Sequence, residues 1–259
     1  MSMTVCSIFR YPIKGLSAEL LAQVALTAGQ SIPHDRRFAI AHATTNIDPL
    51  KPEWLPKIHF FMLMRDEKLA QLRTRFDEHS GFLAIEQSGQ LLFNARITDM
   101  QGRKSFDAFF AKFLMDCPGG PPRLVEVPGH TFSDAKQKPN STTYKYISLV
   151  NLASVRDVER VARVAVDPNR FRANVYFEGT PAWSELGWVG MELRLGTARL
   201  RVVSPTTRCP ATAVNPATAQ RDLDIPRILQ EEFGHKHMGV YAEVVEEGMV
   251  RTNDFLLPL

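Results

Sequence analysis

The chain has 259 residues, 44% of them hydrophobic and 23% charged, which allows one large or two modest cores and excludes a disordered protein. Its 31 basic and 28 acidic residues leave a formal charge of +3 with no long run of one sign, so nucleic acid is not an implied partner. No stretch approaches the ~20 apolar residues of a membrane span and residues 1–10 lack a leader-peptide core, so no span is expected and the cytoplasm is the expected location.

In chain order, VCSIFRYPIKG (5–15), LLAQVALTAG (20–29) and RRFAIAHA (36–43) read as strands, a β-rich opening. Residues 44–59, with Trp54 and three prolines, Pro49, Pro52 and Pro56, form a surface excursion: either a loop packed by its own tryptophan or a functional lid. A short helix is expected near residues 66–72. FLAIEQ and QLLFNA follow as strands around a Ser88-Gly89 turn. Ser105 is expected to cap a helix whose apolar stripe is Phe106, Phe109, Phe110, Phe113 and Leu114. CPGGPP (117–122) then breaks regular structure and marks a boundary, giving expected domains 1–117 and 118–259.

Residues 129–144 are polar and read as a loop, YISLV (146–150) as a strand, and Asn151 as the cap of a helix through Leu152, Val155, Val158 and Val161. FRANVYFE (171–178), ELRLG (192–196) and ARLRVVSP (198–205) read as strands. Asp224 caps a helix stopped by Gly234, and residues 239–259 close the chain as strand, turn, strand. No internal repeat is found.

Three cysteines, Cys6, Cys117 and Cys209, lie far apart without a CxxC pair, which suits a reducing compartment and requires any special cysteine to act alone. Cys209 stands in SPTTRCPAT, where Pro205 and Pro210 exclude helix and Arg208 would favour a thiolate. A cysteine is more commonly a small buried hydrophobe, so the neighbouring residues must carry the argument.

TTRCPATAVNPATAQRDLDIPRIL (206–229) resembles the signature segment of the MOSC family, the molybdenum-binding group that includes the mitochondrial amidoxime reducing component and its bacterial relatives. YPIKGL (11–16), DRRFAI (35–40), DPNRFRANVYFEG (167–179), WVGMELRLG (188–196) and GVYAEVVEEGMVRTND (239–254) resemble further family blocks in the same order. The resemblance implies an α+β, β-rich fold: a mixed α/β N-terminal domain, then a MOSC β-barrel-like domain with peripheral helices, with the cofactor between them. It also implies a molybdenum cofactor, a pterin dithiolene ending in a phosphate, with Cys209 as the protein ligand to the metal, for which a thiolate is a suitably soft donor. Lys14, Gly15, Arg36, Arg172 and Arg208 match positions lining the cofactor, and the cations suit its phosphate; each could instead be a solvated surface charge. Asn151, Asn174 and Thr207 are expected to hydrogen-bond the pterin edge or phosphate, although Asn151 could serve only as a cap.

Two departures stand in the motif. Asn215 replaces a commoner acid and Ala219 replaces a turn glycine, with Asp222 and Asp224 keeping negative charge nearby. His235 and His237 flank Lys236 without a third ligand in sequence, so zinc is not expected there. His34, beside Asp35, could deliver a proton or be an exposed turn residue.

The implied activity is reduction of small N-hydroxylated (N-oxygenated) substrates. Two alternatives stay open: a sulfur carrier with a persulfide on Cys209, and a non-catalytic cofactor carrier. The sequence holds no cysteine-rich iron–sulfur module and no dinucleotide fingerprint, so electrons are expected from a separate iron–sulfur, flavin or haem protein.

Overall fold

A computed structural model of the chain describes every residue except 1, 51, 116, 118, 137 and 139–142. Residue 118 of the Pro-Gly break, and residues 137 and 139–142 of the polar segment, therefore lie outside the described residues. The strands are β1 (Met3–Arg10), β2 (Glu19–Leu21), β3 (Gln23–Leu26), β4 (Phe38–Ala41), β5 (Arg73–Phe76), β6 (Phe82–Gln87), β7 (Gln90–Arg96) and β8 (Arg123–Glu126). They continue as β9 (Ile147–Asn151), β10 (Val175–Glu178), β11 (Glu192–Leu195), β12 (Ala198–Thr207), β13 (His237–Glu246), β14 (Gly248–Arg251) and β15 (Phe255–Pro258). The helices are α1 (Met100–Leu114), α2 (Leu152–Ala162) and α3 (Ile225–Phe233), none long and apolar enough to cross a membrane.

The architecture is α+β and β-rich. Seven strands close into a barrel in the order β10-β9-β13-β12-β11-β15-β1, with β1 returning to pair with β10 and β2 appended to β1. Alternation builds its core: Ala198, Leu200 and Val202 of β12 point inward, while Arg199 and Arg201 lie outside and pair with Glu192, Glu243 and Glu246. Strand β3 pairs with β14 and β1 pairs with β10 and β15, so two of the first three strands pair with strands of the C-terminal half, while β2 joins the barrel sheet through β1.

The remaining N-terminal elements form a second core. The meander β5-β6-β7, the pair β4–β8 and α1 enclose Phe38, Ile40, Phe76, Phe93, Phe106 and Phe110. Helix α1 shows the phenylalanine stripe, but it begins at Met100 and is capped by Asp99, whose carboxylate accepts from Gly102 N at 2.8 Å. Ser105 is interior to the helix and donates to the Gln101 carbonyl, so it is not the cap. The true start was hidden by Gly102, a poor helix former that is required here because a Cβ would lie 1.8 Å from the Arg96 carbonyl oxygen.

Two other segments differ from the sequence reading. The helix expected near residues 66–72 is a 3₁₀ turn, Glu67–Gln71. The FRANVYFE segment becomes a strand only at Val175, because Pro168–Phe171 is a 3₁₀ turn and Arg172 follows it at φ +50°.

Replacement Gly102→Ala separates propensity from packing: propensity alone adds about 1 kcal/mol of stability, whereas the clash with Arg96 removes about 1–3 kcal/mol. Chemical denaturation is expected to show the loss.

Candidate functional site

Strand β1 ends at Arg10, and the turn that follows is tied to the rest of the chain by Tyr11. Its amide donates to Asp35 Oδ1 at 2.8 Å and its hydroxyl to the Ala173 carbonyl at 3.2 Å. Two guanidinium groups lie over its buried ring, Arg36 at 4.3 Å and Arg172 at 4.4 Å from the centroid. Both arginines have left-handed backbones, φ +49° and +50°. Arg36 donates to Asp35 at 2.5 Å and to the Arg172 carbonyl at 3.0 Å, and Arg172 donates to the Leu16 carbonyl at 2.7 Å. Burial presses Arg172 below its ordinary pKa; Tyr11 opposes this and neighbouring Arg36 adds to it. Like charges held this close are an arrangement that an anion would relieve.

Of these residues, Asp35, Arg36 and Arg172 line a cavity of about 590 Å³, within the range of small-molecule sites. Its described lining carries eight lysine and arginine side chains against two aspartates, Asp35 and Asp134. The structure brings Lys14, Gly15, Arg36, Arg172, Asn174, Thr207, Arg208 and Cys209 to this one cavity. Cys209, partly buried and with extended backbone, stands between the end of β12 and the 3₁₀ turn Pro210–Ala213. Its carbonyl accepts from the Thr212 amide at 3.0 Å and hydroxyl at 2.9 Å, which fixes the loop.

Several of the gathered side chains are already committed. Arg208 donates to the Phe171 carbonyl at 2.7 Å and twice to the Met238 carbonyl, at 2.9 and 2.5 Å, so its fork braces the cysteine loop. Asn174 accepts from the Ser148 amide and hydroxyl at 3.1 and 2.9 Å and donates to the Phe9 carbonyl at 3.2 Å. Thr207 is exposed and bonds His237 Nδ1 at 3.2 Å. Its neighbour Thr206 lines the same cavity with a buried hydroxyl that has no partner among the described residues. The sequence reading missed Thr206; period-two alternation along β12 was the available signal.

Asn151 does not line the cavity. Its Oδ1 accepts from Ala153 N at 3.0 Å, capping α2, and its Nδ2 donates to the Pro181 carbonyl at 2.9 Å and to Glu185 at 3.3 Å. Glu185 is fully buried and also accepts from Ser154 Oγ at 2.8 Å. Burial raises its pKa despite those hydrogen bonds. The group at the N-terminus of α2 is thus the protein's own carboxyl side chain.

The altered motif turn is held by its own side chains and by Arg73, which donates to the Pro216 carbonyl at 2.7 Å. Asn215 Oδ1 accepts from Ala217 N at 2.9 Å, and its Nδ2 donates to Asp222 at 2.6 Å. Ala219 sits at φ +59°, the strained region its position suggested. Asp222 pairs with buried Arg170 at 2.5 Å, and Asp224 caps α3. His235 and His237 stack at 5.7 Å beside Trp183 and Phe233, and no group of three or more metal-ligating side chains occurs among the described residues. His34 contacts Phe76, Arg37 and Glu78 and is not among the described lining residues of the cavity.

The proline-rich excursion contributes Trp54, Pro56, Lys57 and Ile58 to the cavity, with Lys136 Nζ 4.3 Å from the centre of the Trp54 ring system. Beyond it, Arg221 bridges the Leu63 and Met64 carbonyls, at 3.0 and 2.8 Å, to the Pro210 carbonyl at 3.3 Å. That clamps the N-terminal wall beside the cysteine loop.

Residues 130–256 match the MOSC domain and residues 2–116 match the MOSC N-terminal beta barrel domain. The chain belongs to the MOSC family. This MOSC chain is 23% identical over 273 residues to a molybdenum cofactor sulfurase of Bos taurus, covering 93% of the chain and 30% of the sulfurase. It is 33% identical over 95 residues to a molybdenum cofactor sulfurase of Drosophila mojavensis, covering 36% and 12%. It therefore spans less than a third of the length of these relatives. Among solved structures it is similar to the YUAD protein from Bacillus subtilis, at 12% identity and TM-score 0.46, covering 100% of this chain and 96% of that one.

Because Asn151 serves α2 and Glu185, Asn151→Ala is expected to lower stability by about 1–3 kcal/mol in denaturant titrations. Anion affinity of the cavity is expected to stay unchanged in the same variant.

Proposed function

We propose that the chain binds a molybdenum cofactor in the cationic cavity and acts as the terminal component of a reductase for N-hydroxylated substrates. The observation that carries the reading is one cavity combining a surplus of buried and half-buried cations with one thiol, Cys209, among its described lining residues. The donor set fits such a group: cations suit a phosphate, a thiolate suits a soft metal, and the unpartnered Thr206 hydroxyl would gain a partner from a polar ligand edge. Similarity to molybdenum cofactor sulfurases supports a function related to that cofactor.

In this proposal Lys14, Gly15, Arg36 and Arg172 hold the phosphate end, Thr206 and Thr207 meet the pterin, and Cys209 is the ligand to molybdenum. Arg208 and Asn174 act from behind, as the braces that set the loop and the wall. When bound, the cofactor supplies the oxidation-state change. The protein supplies orientation, a low-dielectric pocket and the wall of residues 54–64 against which a small N-oxygenated substrate rests. Electrons come from a separate iron–sulfur, flavin or haem protein, and the cysteine usage suits the cytoplasm.

A second reading is favoured by the sulfurase relatives: Cys209 carries a persulfide and passes sulfur on. Protein made in a cofactor-competent host is expected to contain stoichiometric molybdenum and to reduce benzamidoxime with an artificial electron donor. Cys209→Ala is expected to lose both metal and activity, and Arg172→Ala to lose cofactor occupancy. Absence of molybdenum together with cyanide-releasable sulfur on Cys209 would replace the first reading by the second. Loaded protein without turnover would make the chain a carrier.

A further inference from the structure

We propose that Lys14, Lys57 and Arg36 form an anion subsite whose resident occupant is the carboxylate of Asp134, so that a phosphate-class ligand enters by displacing a side chain of the protein itself. The proposal rests on the reading that the cavity takes an anionic ligand.

Lys14 is only 6% exposed, and a buried ammonium needs a counter-charge. Its Nζ donates to the Phe132 carbonyl at 3.0 Å and is ion-paired with Asp134, and it lies 5.6 Å from the Phe60 ring centre. Arg36 and Lys57 add positive charge on the same carboxylate. Partial desolvation at the cavity wall would raise the Asp134 pKa, yet Lys14, Lys57 and Arg36 together hold it below the usual carboxylate range.

The two aspartates of the cavity differ in how firmly they are held. Asp35 is 4% exposed and fixed by the Tyr11 amide and Arg36. The Asp134 side chain is 51% exposed and stands in the irregular stretch between β8 and β9. Asp134 is therefore the carboxylate that can leave at low cost. A tetrahedral dianion brings more charge and more acceptor oxygens than a carboxylate, so Lys14, with Arg36 and Lys57 on the same cavity wall, prefers it.

A resident competitor lowers apparent affinity by the fraction of time the subsite is filled. Sulfate is a suitable probe because it keeps its charge across the pH range used. The measurement is the rise of Tm with sulfate at constant ionic strength, on full-length protein from a host lacking the cofactor, with Lys14→Met as the reference for general salt stabilisation.

At pH 6.5, Asp134→Asn is expected to bind sulfate about three- to tenfold more tightly than the native chain. Lys14→Met is expected to lose the response. The gain should shrink as pH rises. Burial lowers the Lys14 pKa, Asp134 raises it, and Arg36 and Lys57 lower it again, so without Asp134 the ammonium loses its proton at a lower pH.

Asp134→Ser provides a second variant if Asp134→Asn folds poorly, with native circular dichroism as the control. Equal or weaker sulfate binding in the folded variant overturns the proposal, as does native-like binding by Lys14→Met. Molybdenum content of the same variants made in a cofactor-competent host separates the failures. Loaded protein with an unchanged sulfate response overturns only the role of Asp134, whereas absence of both molybdenum and sulfate binding overturns the anionic-ligand reading as well.

Discussion

The antiparallel pairing of β1 with β10 is the constraint from which the rest of the site follows. Its register, with Ile8 opposite Val175, closes the barrel and sets the residues after β1 beside those before β10. Phe9 N donates to the Asn174 carbonyl at 2.7 Å and Asn174 Nδ2 donates back to the Phe9 carbonyl, so the two chain segments are joined just where each leaves regular structure. Tyr11 then reaches the Ala173 carbonyl, and Arg172 reaches Leu16. Shifting this ladder by one residue would turn every side chain to the other face and separate Lys14 and Arg36 from Arg172.

Gathering cations at this junction opposes folding, since each guanidinium or ammonium loses water and faces others of its own sign. The structure compensates locally. Tyr11 offers its ring face to two arginines, Asp35 pairs with Arg36, Asp134 pairs with Lys14, and the Arg172 and Leu16 carbonyls accept from Arg36 and Arg172. A chain selected only for stability would have little reason to keep such an arrangement beside an open cavity, and this is why the cluster reads as a ligand site.

Elsewhere comparable charges are used structurally, and the contrast clarifies the site. Glu185 fills the N-terminal end of α2 and Arg208 spends its fork on three carbonyl contacts. Arg170, paired with Asp222, supports the 3₁₀ turn after Cys209 through the Thr212 and Ala213 carbonyls. The strained Ala219 lies in the turn that positions Asp222, so the departure from the family motif falls on the support of the cysteine loop.

Much of this was legible in residue order. The alternation in β12, the cap and stop of α3 at Asp224 and Gly234, the phenylalanine stripe of α1 and the ordered motifs around Cys209 all depend on local periodicity, which one strand or helix expresses by itself. What the tertiary structure alone decided is which neighbour each polar side chain meets. Asn151 read equally well as cap or ligand, and the approach of Glu185 and Pro181 from 30 or more residues away assigned it to the helix. Asp134 lay in a polar stretch without any pattern, and its role depends on Lys14, 120 residues earlier in the chain. Local propensity determined the elements; the charges, whose energies depend on distance and burial, acquired their roles only when the barrel closed.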